Sequence, residues 1–206
     1  MEAVAEAHWL VAGLGNPGEA YTETRHNVGF AVVERLAAES RAVFRSGLQR
    51  SRVAFIRFGN TPVLLVEPLT FMNLSGEPVA AYLAALGLPG TRLVVVHDDM
   101  DLPLGRLRIV GEAGAGGHRG VASVQVCLGS PAFPRVRIGI GRPGEAEDAA
   151  ERVLSAFTAA EAVLAAEAIE RAGAAVRSLV LEGLAAAMNR FNVRRPGPGL
   201  DPLERR

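Results

Sequence analysis

Leu93-Val94-Val95-Val96-His97-Asp98-Asp99-Met100-Asp101 is the stretch where an apolar run gives way to a cluster of charge. Leu93 to Val96 reads as a buried strand, short and β-branched, with turn signals at both ends. Three carboxylates stand at its mouth. Like charges this close raise one another's pKa unless something positive or hydrogen-bonding compensates them. One reading brings a histidine in from elsewhere, and His26, in the run Thr24-Arg25-His26-Asn27, is the candidate. A His–Asp pair is then a general base. The other reading is a solvated strand-to-loop cluster with Asp99 facing solvent, Asp101 capping a turn before Pro103, and His97 as a structural hydrogen-bonder.

Outward from this strand, segments of both periodicities alternate. His8 to Gly13 reads as a first strand, followed by the loop Gly15-Asn16-Pro17-Gly18. Asn27 to Ser40 places Phe30, Val33, Leu36 and Ala37 at helical spacing. Val53 to Phe58 and Val63 to Val66 suit a hairpin around Gly59-Asn60. Asn73-Leu74-Ser75-Gly76 leads into a helix through about Leu86, with Pro78 tolerable in the first turn. Arg106 to Val110 reads as a strand, and the glycine-rich loop from Gly111 to Gly120 leads to a helix ending near Leu128. Arg135 to Ile140 alternates Val136, Ile138 and Ile140 as a strand does. The alanine-rich stretch from Glu147 to Arg190 reads as two or three helices. The pattern argues one α/β domain over residues 1–194, a mixed twisted sheet flanked by helices with a helical C-terminal region. The breaker-rich tail, residues 195–206, is expected to be flexible.

The 206 residues suffice for a sheet with a full core, and 49% hydrophobic content fits a folded globule. No apolar run is long enough to span a bilayer, and the N-terminus lacks the basic start and apolar stretch of a signal peptide. The one cysteine, Cys127, excludes an internal disulfide framework and is expected in the core between Val126 and Leu128. A cytoplasmic protein without membrane contact is the expectation. Net charge is zero and lysine is absent, so all 22 basic residues are arginine. Arg41 to Arg57 holds five arginines and no acid, while Glu145 to Glu182 holds eight acids and three arginines. A surface with a basic side is compatible with the neutral sum.

Gly13-Leu14-Gly15-Asn16-Pro17-Gly18 matches the dinucleotide fingerprint G-x-G-x-x-G, with Glu34 near the distance of the ribose-binding acid. The helix should begin inside such a motif so that its amides face the pyrophosphate. Asn16-Pro17-Gly18 favours a turn instead, because the residue before proline avoids the helical region. Nucleotide binding is disfavoured.

GLGNPG with Tyr21 and TRHN, TFMNLSG, HDDMDLP, the Gly116-Gly117-His118 loop and RIGIGRPG occur in that order between about Leu10 and Gly144. Together they resemble the motifs of bacterial peptidyl-tRNA hydrolases. The resemblance implies hydrolysis of the ester between a peptide and the 3′ end of tRNA, recycling tRNA from aborted translation. It implies peptidyl-tRNA as partner, no cofactor, no metal and a monomer. It assigns His26 as catalytic base and Asp98 as the carboxylate orienting it. Asn16 and Asn73 take the part of amides that bind the peptide or position the reacting carbonyl. Tyr21 and Phe71 line the channel, and Arg137 holds tRNA phosphate. The residues agree with this chemistry: ester hydrolysis needs a base for water and donors for the oxyanion. No Cys or His cluster has metal spacing, and no serine sits in a nucleophile elbow.

The glycine loop departs from the family pattern, with Arg119 where an asparagine is usual. Arginine is always charged and only donates, so it cannot accept a hydrogen bond from water. Reaching the RNA backbone or pairing with a carboxylate is its expected role. His118 is read as shaping the loop. An esterase and a catalytically inactive RNA-binding relative, like the plant organelle splicing factors that resemble this family, are the two functional classes the sequence leaves. Joint retention of His26 and Asp98 favours the esterase.

Overall fold

The computed structural model describes residues 6–144 and 148–193. The expectations for the N-terminus before Glu6 and for the tail beyond Val193 lie outside the described residues. Seven strands form one sheet: β1 (Trp9–Gly13), β2 (Arg45–Ser46), β3 (Ser51–Phe58), β4 (Thr61–Pro68), β5 (Leu93–Asp99), β6 (Leu107–Val110) and β7 (Arg135–Gly139), in the spatial order β2-β3-β4-β1-β5-β7-β6. β4, β1, β5 and β7 run parallel; β3, β2 and β6 are antiparallel to their neighbours. The helices are α1 (Val28–Glu39), α2 (Gly76–Leu86), α3 (Arg119–Leu128), α4 (Ala149–Leu154), α5 (Ala159–Glu182) and α6 (Leu184–Phe191).

The central strands are continuous apolar runs because both faces of the sheet are covered. Strand alternation sends Val11, Val63, Leu65, Val94 and Val96 to a core shared with α1, α5 and α6, through Val33, Leu36, Val176 and Leu179. Leu10, Ala12, Leu64, Leu93 and Val95 face the opposite core, with Val79 and Leu83 of α2 and Val121 and Val124 of α3. Each fully buried Val or Leu contributes about 1.5–3 kcal/mol relative to exposure, so the sheet centre is the rigid part of the molecule. The glycines of the dinucleotide-like motif serve this packing. A Cβ on Gly13 would lie 2.3 Å from the Gly29 carbonyl oxygen, and one on Gly15 would lie 2.8 Å from the Phe30 ring. They let α1 cross closely over the end of β1, and Glu34, the would-be ribose ligand, pairs with Arg52 at 2.9 Å.

Three expectations are corrected. The apolar strand does not stop at Val96: His97, Asp98 and Asp99 continue it, in register with Arg137, Ile138 and Gly139 of β7. Asp98 and Asp99 are therefore buried and not solvated. Cys127 is exposed. It lies three residues after the buried Val124 near the end of α3, at the rim of the face toward α2, where a Cβ on Gly76 would stand 2.9 Å from its Sγ. Apolar sequence neighbours do not by themselves bury a helical residue, because successive positions point about 100° apart. β2, two exposed residues, carries no apolar pattern and was not foreseen.

Candidate active site

β1 has β4 on one side and β5 on the other, so the loops leaving these parallel strands converge at one end of the sheet. Such a switch point is where α/β sheets bind ligands. The loop after β1 brings Asn16, the turn after β4 brings Phe71 to Leu74, and β5 itself brings Asp98. His26 arrives in a 3₁₀ turn, Arg25–Asn27, that leads directly into α1.

Asn16 is fixed from both sides. Its main-chain N–H donates to Asn27 Oδ1 (2.8 Å) and its main-chain oxygen accepts from Asn27 Nδ2 (3.0 Å). Its side-chain Oδ1 accepts from the Met72 N–H (2.9 Å). The acceptor being used, the Nδ2 amide of Asn16 is the end left to donate elsewhere. The Met72 bond also ties the β1 loop to the turn that carries Phe71 and Asn73. Arg25, 2% exposed, anchors the His26 turn to the C-terminal helices: NH1 donates to Ser155 Oγ (2.6 Å) and NH2 to Glu161 Oε2 (2.6 Å).

Asp98, 1% exposed, is the hub. Its Oδ1 lies 2.8 Å from His26 Nδ1 and 2.9 Å from His118 Nε2. The partners decide where the ring protons are. His118 caps α3, its Nδ1 accepting from the Gly120 and Val121 N–H groups (3.1 and 3.2 Å). Its proton is therefore on Nε2, which donates to Asp98. A carboxylate only accepts, so His26 also donates, from Nδ1, and its Nε2 carries the bare lone pair. Burial alone would raise the Asp98 carboxyl; the two imidazoles beside it outweigh burial and hold it well below the usual carboxylate range. His97 donates from Nδ1 to the Asp98 main-chain oxygen (2.6 Å), the structural role expected of it. Burial, reinforced by the neighbouring His118, holds its pKa well below the ordinary histidine value, so it is neutral. Its ring meets that of His118 edge-on at 4.6 Å.

The other sequence-predicted residues stand around this hub. Phe71 is 58% exposed, and Asn73 is exposed on the same turn with no hydrogen-bond partner among the described residues. Tyr21 is half-buried at the end of a 3₁₀ turn, Glu19–Tyr21. Arg137 lies across from His97 on β7, its Nε bonded to Asp99 Oδ2. Its two terminal nitrogens have no partner among the described residues. Asp99, not Asp101, makes the turn cap, accepting from the Asp101 N–H (2.9 Å), while Asp101 pairs with Arg142 at 2.8 Å. Arg119, the first residue of α3, is exposed and meets no carboxylate among the described residues.

A family model described as peptidyl-tRNA hydrolase matches residues 10–198. The chain belongs to the peptidyl-tRNA hydrolase family. A relative from Chloroflexus aggregans carrying that name is 46% identical over 185 residues, covering 89% of this chain and 98% of the relative. One from Desulforamulus reducens is 46% identical over 183 residues, covering 89% and 88%. The crystal structure of peptidyl-tRNA hydrolase from Acinetobacter baumannii superposes with a TM-score of 0.86 at 33% identity, covering 91% of this chain and 96% of that one. The mixed seven-stranded sheet is thus the fold of peptidyl-tRNA hydrolases.

Two residues of this candidate site were missed by sequence reasoning. His118 is no mere loop shaper, since it reaches the Asp98 carboxylate while capping α3. Asn27, adjacent to His26, holds both main-chain polar groups of Asn16. Neither string revealed this, because each role depends on a partner 20 or 11 positions away. The ligand atoms of His26, Asp98 and His118 lie within 4.8 Å of one another, close enough for a metal ion. The donors are engaged where they face one another, both imidazole protons pointing at one Asp98 oxygen and the lone pair of His118 held by two amides, so that of the two imidazoles only His26 keeps a bare nitrogen, Nε2. The cluster is arranged to position protons. No helix among the described residues is long and apolar enough to cross a membrane.

Proposed function

We propose that this chain hydrolyses the ester between a peptide, or an N-blocked amino acid, and the 3′ end of tRNA. The observation that carries the mechanism is the bare Nε2 of His26, held in one tautomer by the bond from Nδ1 to Asp98 (2.8 Å). That nitrogen takes a proton from water as the water oxygen attacks the ester carbonyl. Asp98 stabilises the imidazolium that forms. The proton then passes to the leaving ribose oxygen, releasing the free acid and tRNA. General-base help of this kind contributes about 10²–10⁴-fold. Asn16, through its uncommitted Nδ2, and Asn73 hold the peptide and the developing oxyanion. Tyr21 and Phe71 line the channel, and Arg137 and Arg119 meet phosphate. Ser75, the serine of the Asn73 turn, donates its hydroxyl to the Met72 oxygen (2.9 Å), which supports water and not serine as nucleophile. The intact His26–Asp98 pair supports the enzyme over an RNA-binding relative without activity. The reading includes a cytoplasmic monomer acting as one domain through residue 194.

The test is release of N-acetylated amino acid from N-acetylaminoacyl-tRNA, with unblocked aminoacyl-tRNA as control. Rapid cleavage of the blocked ester with little of the control is expected. A folded protein that binds tRNA and cleaves neither would overturn the proposal.

A further inference from the structure

We infer that the β2 edge of the sheet is a second RNA-contact surface, a ridge of Arg41, Arg45 and Arg50 that guides the acceptor strand of the substrate toward the active-site mouth. The inference rests on the proposed tRNA ester substrate and extends it to a part of the molecule far from Arg137.

From Ser40 to Val66 the chain contains no acidic residue. Two of its five arginines are neutralised from outside. Arg52 pairs with Glu34 and Glu67, and Arg57 pairs with Glu6 at 3.1 Å. Arg41, Arg45 and Arg50 are exposed, and no described carboxylate, carbonyl or ring meets their side chains. In a chain of zero net charge, three unpaired cations on one edge are a local surplus and not part of a general excess.

Their order follows from the topology. β2 is antiparallel to β3, and β3 to β4, so β2 points toward the end of the sheet where β4 delivers the Phe71 turn. Arg41 follows the end of α1, Arg45 lies in β2, and Arg50 is in the loop beyond it. The Arg50 oxygen accepts from the Leu69 N–H (2.7 Å), two residues before Phe71. The ridge thus ends at the mouth. Arg41, Gln49 and Arg50 have φ values of 53°, 50° and 55°, a left-handed backbone that non-glycine residues adopt at a cost. The loop is nonetheless tied down, with the Leu48 N–H donating to Tyr82 Oη (2.6 Å) and Ser51 Oγ to the Leu48 oxygen (2.6 Å). Blunting a sheet edge against strand pairing would account for Arg45 alone. It does not account for arginines outside the strand at both ends, nor for Val43 and Leu48 between them at 74% and 51% exposure. A row of unpaired guanidiniums with apolar contacts between them suits a phosphodiester strand.

The test replaces Arg41, Arg45 and Arg50 by glutamine, singly and together. Binding of fluorescein-labelled deacylated tRNA is measured by anisotropy across a salt series. Hydrolysis is measured on N-acetylaminoacyl-tRNA and on N-acetylaminoacyl-adenosine, which lacks the RNA strand. The triple variant should bind tRNA at least tenfold more weakly, and the slope of log Kd against log salt should shrink by about 2–3, at ~0.9 per lost phosphate contact. Its KM for the tRNA ester should rise in step, with kcat/KM for the adenosine ester within twofold of wild type. Each single variant should lose about one third of the slope change, which keeps the test open if the triple variant folds poorly. Unchanged tRNA affinity and salt slope would overturn the inference and leave edge protection. An equal loss on both esters would overturn it too, because the arginines would then act through the site. If wild type cleaves neither ester, the hydrolase reading fails while the binding series still decides the ridge.

Discussion

Asp98→Asn keeps the shape of the hub and removes its charge. In wild type one carboxylate oxygen receives His26 Nδ1 at 2.8 Å and His118 Nε2 at 2.9 Å. An amide oxygen can accept both, so neither ring need move. What changes is the transition state, where His26 becomes an imidazolium. A unit charge pair about 4 Å apart, at an effective dielectric constant of about 20, is worth about 4 kcal/mol. The amide dipole retains part of this, since neutral hydrogen bonds are worth about 1 kcal/mol and bonds to charged groups about 1.5–3. The net loss is about 3 kcal/mol, or roughly 10²-fold in kcat. Asp98 is 1% exposed, so KM should stay within twofold. Steady-state hydrolysis of N-acetylaminoacyl-tRNA separates the two constants, and the unfolding midpoint checks that the variant is folded. A kcat within threefold of wild type, or a rise in KM that accounts for the whole loss, would refute the claim that Asp98 acts by stabilising charge on His26.

Glu67 is fully buried beside Arg52, and burial outweighs that partner to push its pKa up to about 7. Its folded-state value lies above the ordinary 4.5, so the folded protein binds more protons than the unfolded chain between the two values, and wild-type stability should fall as pH rises from about 4.5 to 7. Glu67→Gln should remove that decline and gain up to about 3 kcal/mol at pH 8, with no gain near pH 4.5, in denaturant titrations; equal effects at both pH values would show that the carboxyl does not titrate there. Asn27→Ala strips the Asn16 backbone of both its partners, each buried group left unpaired costing about 1–3 kcal/mol. It should lower the unfolding midpoint and cut kcat/KM at least tenfold, whereas full activity would mean that Asn16 needs no such support.

The apolar pattern made the central sheet legible, because strands buried on both faces leave a signature in β-branched runs and because caps and glycines mark where helices end. Its limits show at β5. His97, Asp98 and Asp99 are polar, and only the β7 strand beside them makes them strand residues. The same non-locality hid His118, whose proton is placed by the first turn of α3 and whose partner lies on β5. The G-x-G-x-x-G string was legible as a decoy, since Pro17 forbids the helix start that phosphate binding needs. Its glycines turn out to serve the contact with Gly29 and Phe30. Arg119 is a residue whose role the string alone does not fix. It is exposed at the start of α3 and meets no carboxylate among the described residues, which leaves it available to an anion.

The central claim is that His26 is the base. The most direct measurement is the single-turnover cleavage rate of N-acetylaminoacyl-tRNA by His26→Ala at saturating enzyme, alongside its affinity for deacylated tRNA and its unfolding midpoint. The expected result is a rate at least 10²-fold below wild type with affinity and fold preserved. A folded His26→Ala protein that cleaves within tenfold of the wild-type rate would contradict the claim and place the base elsewhere.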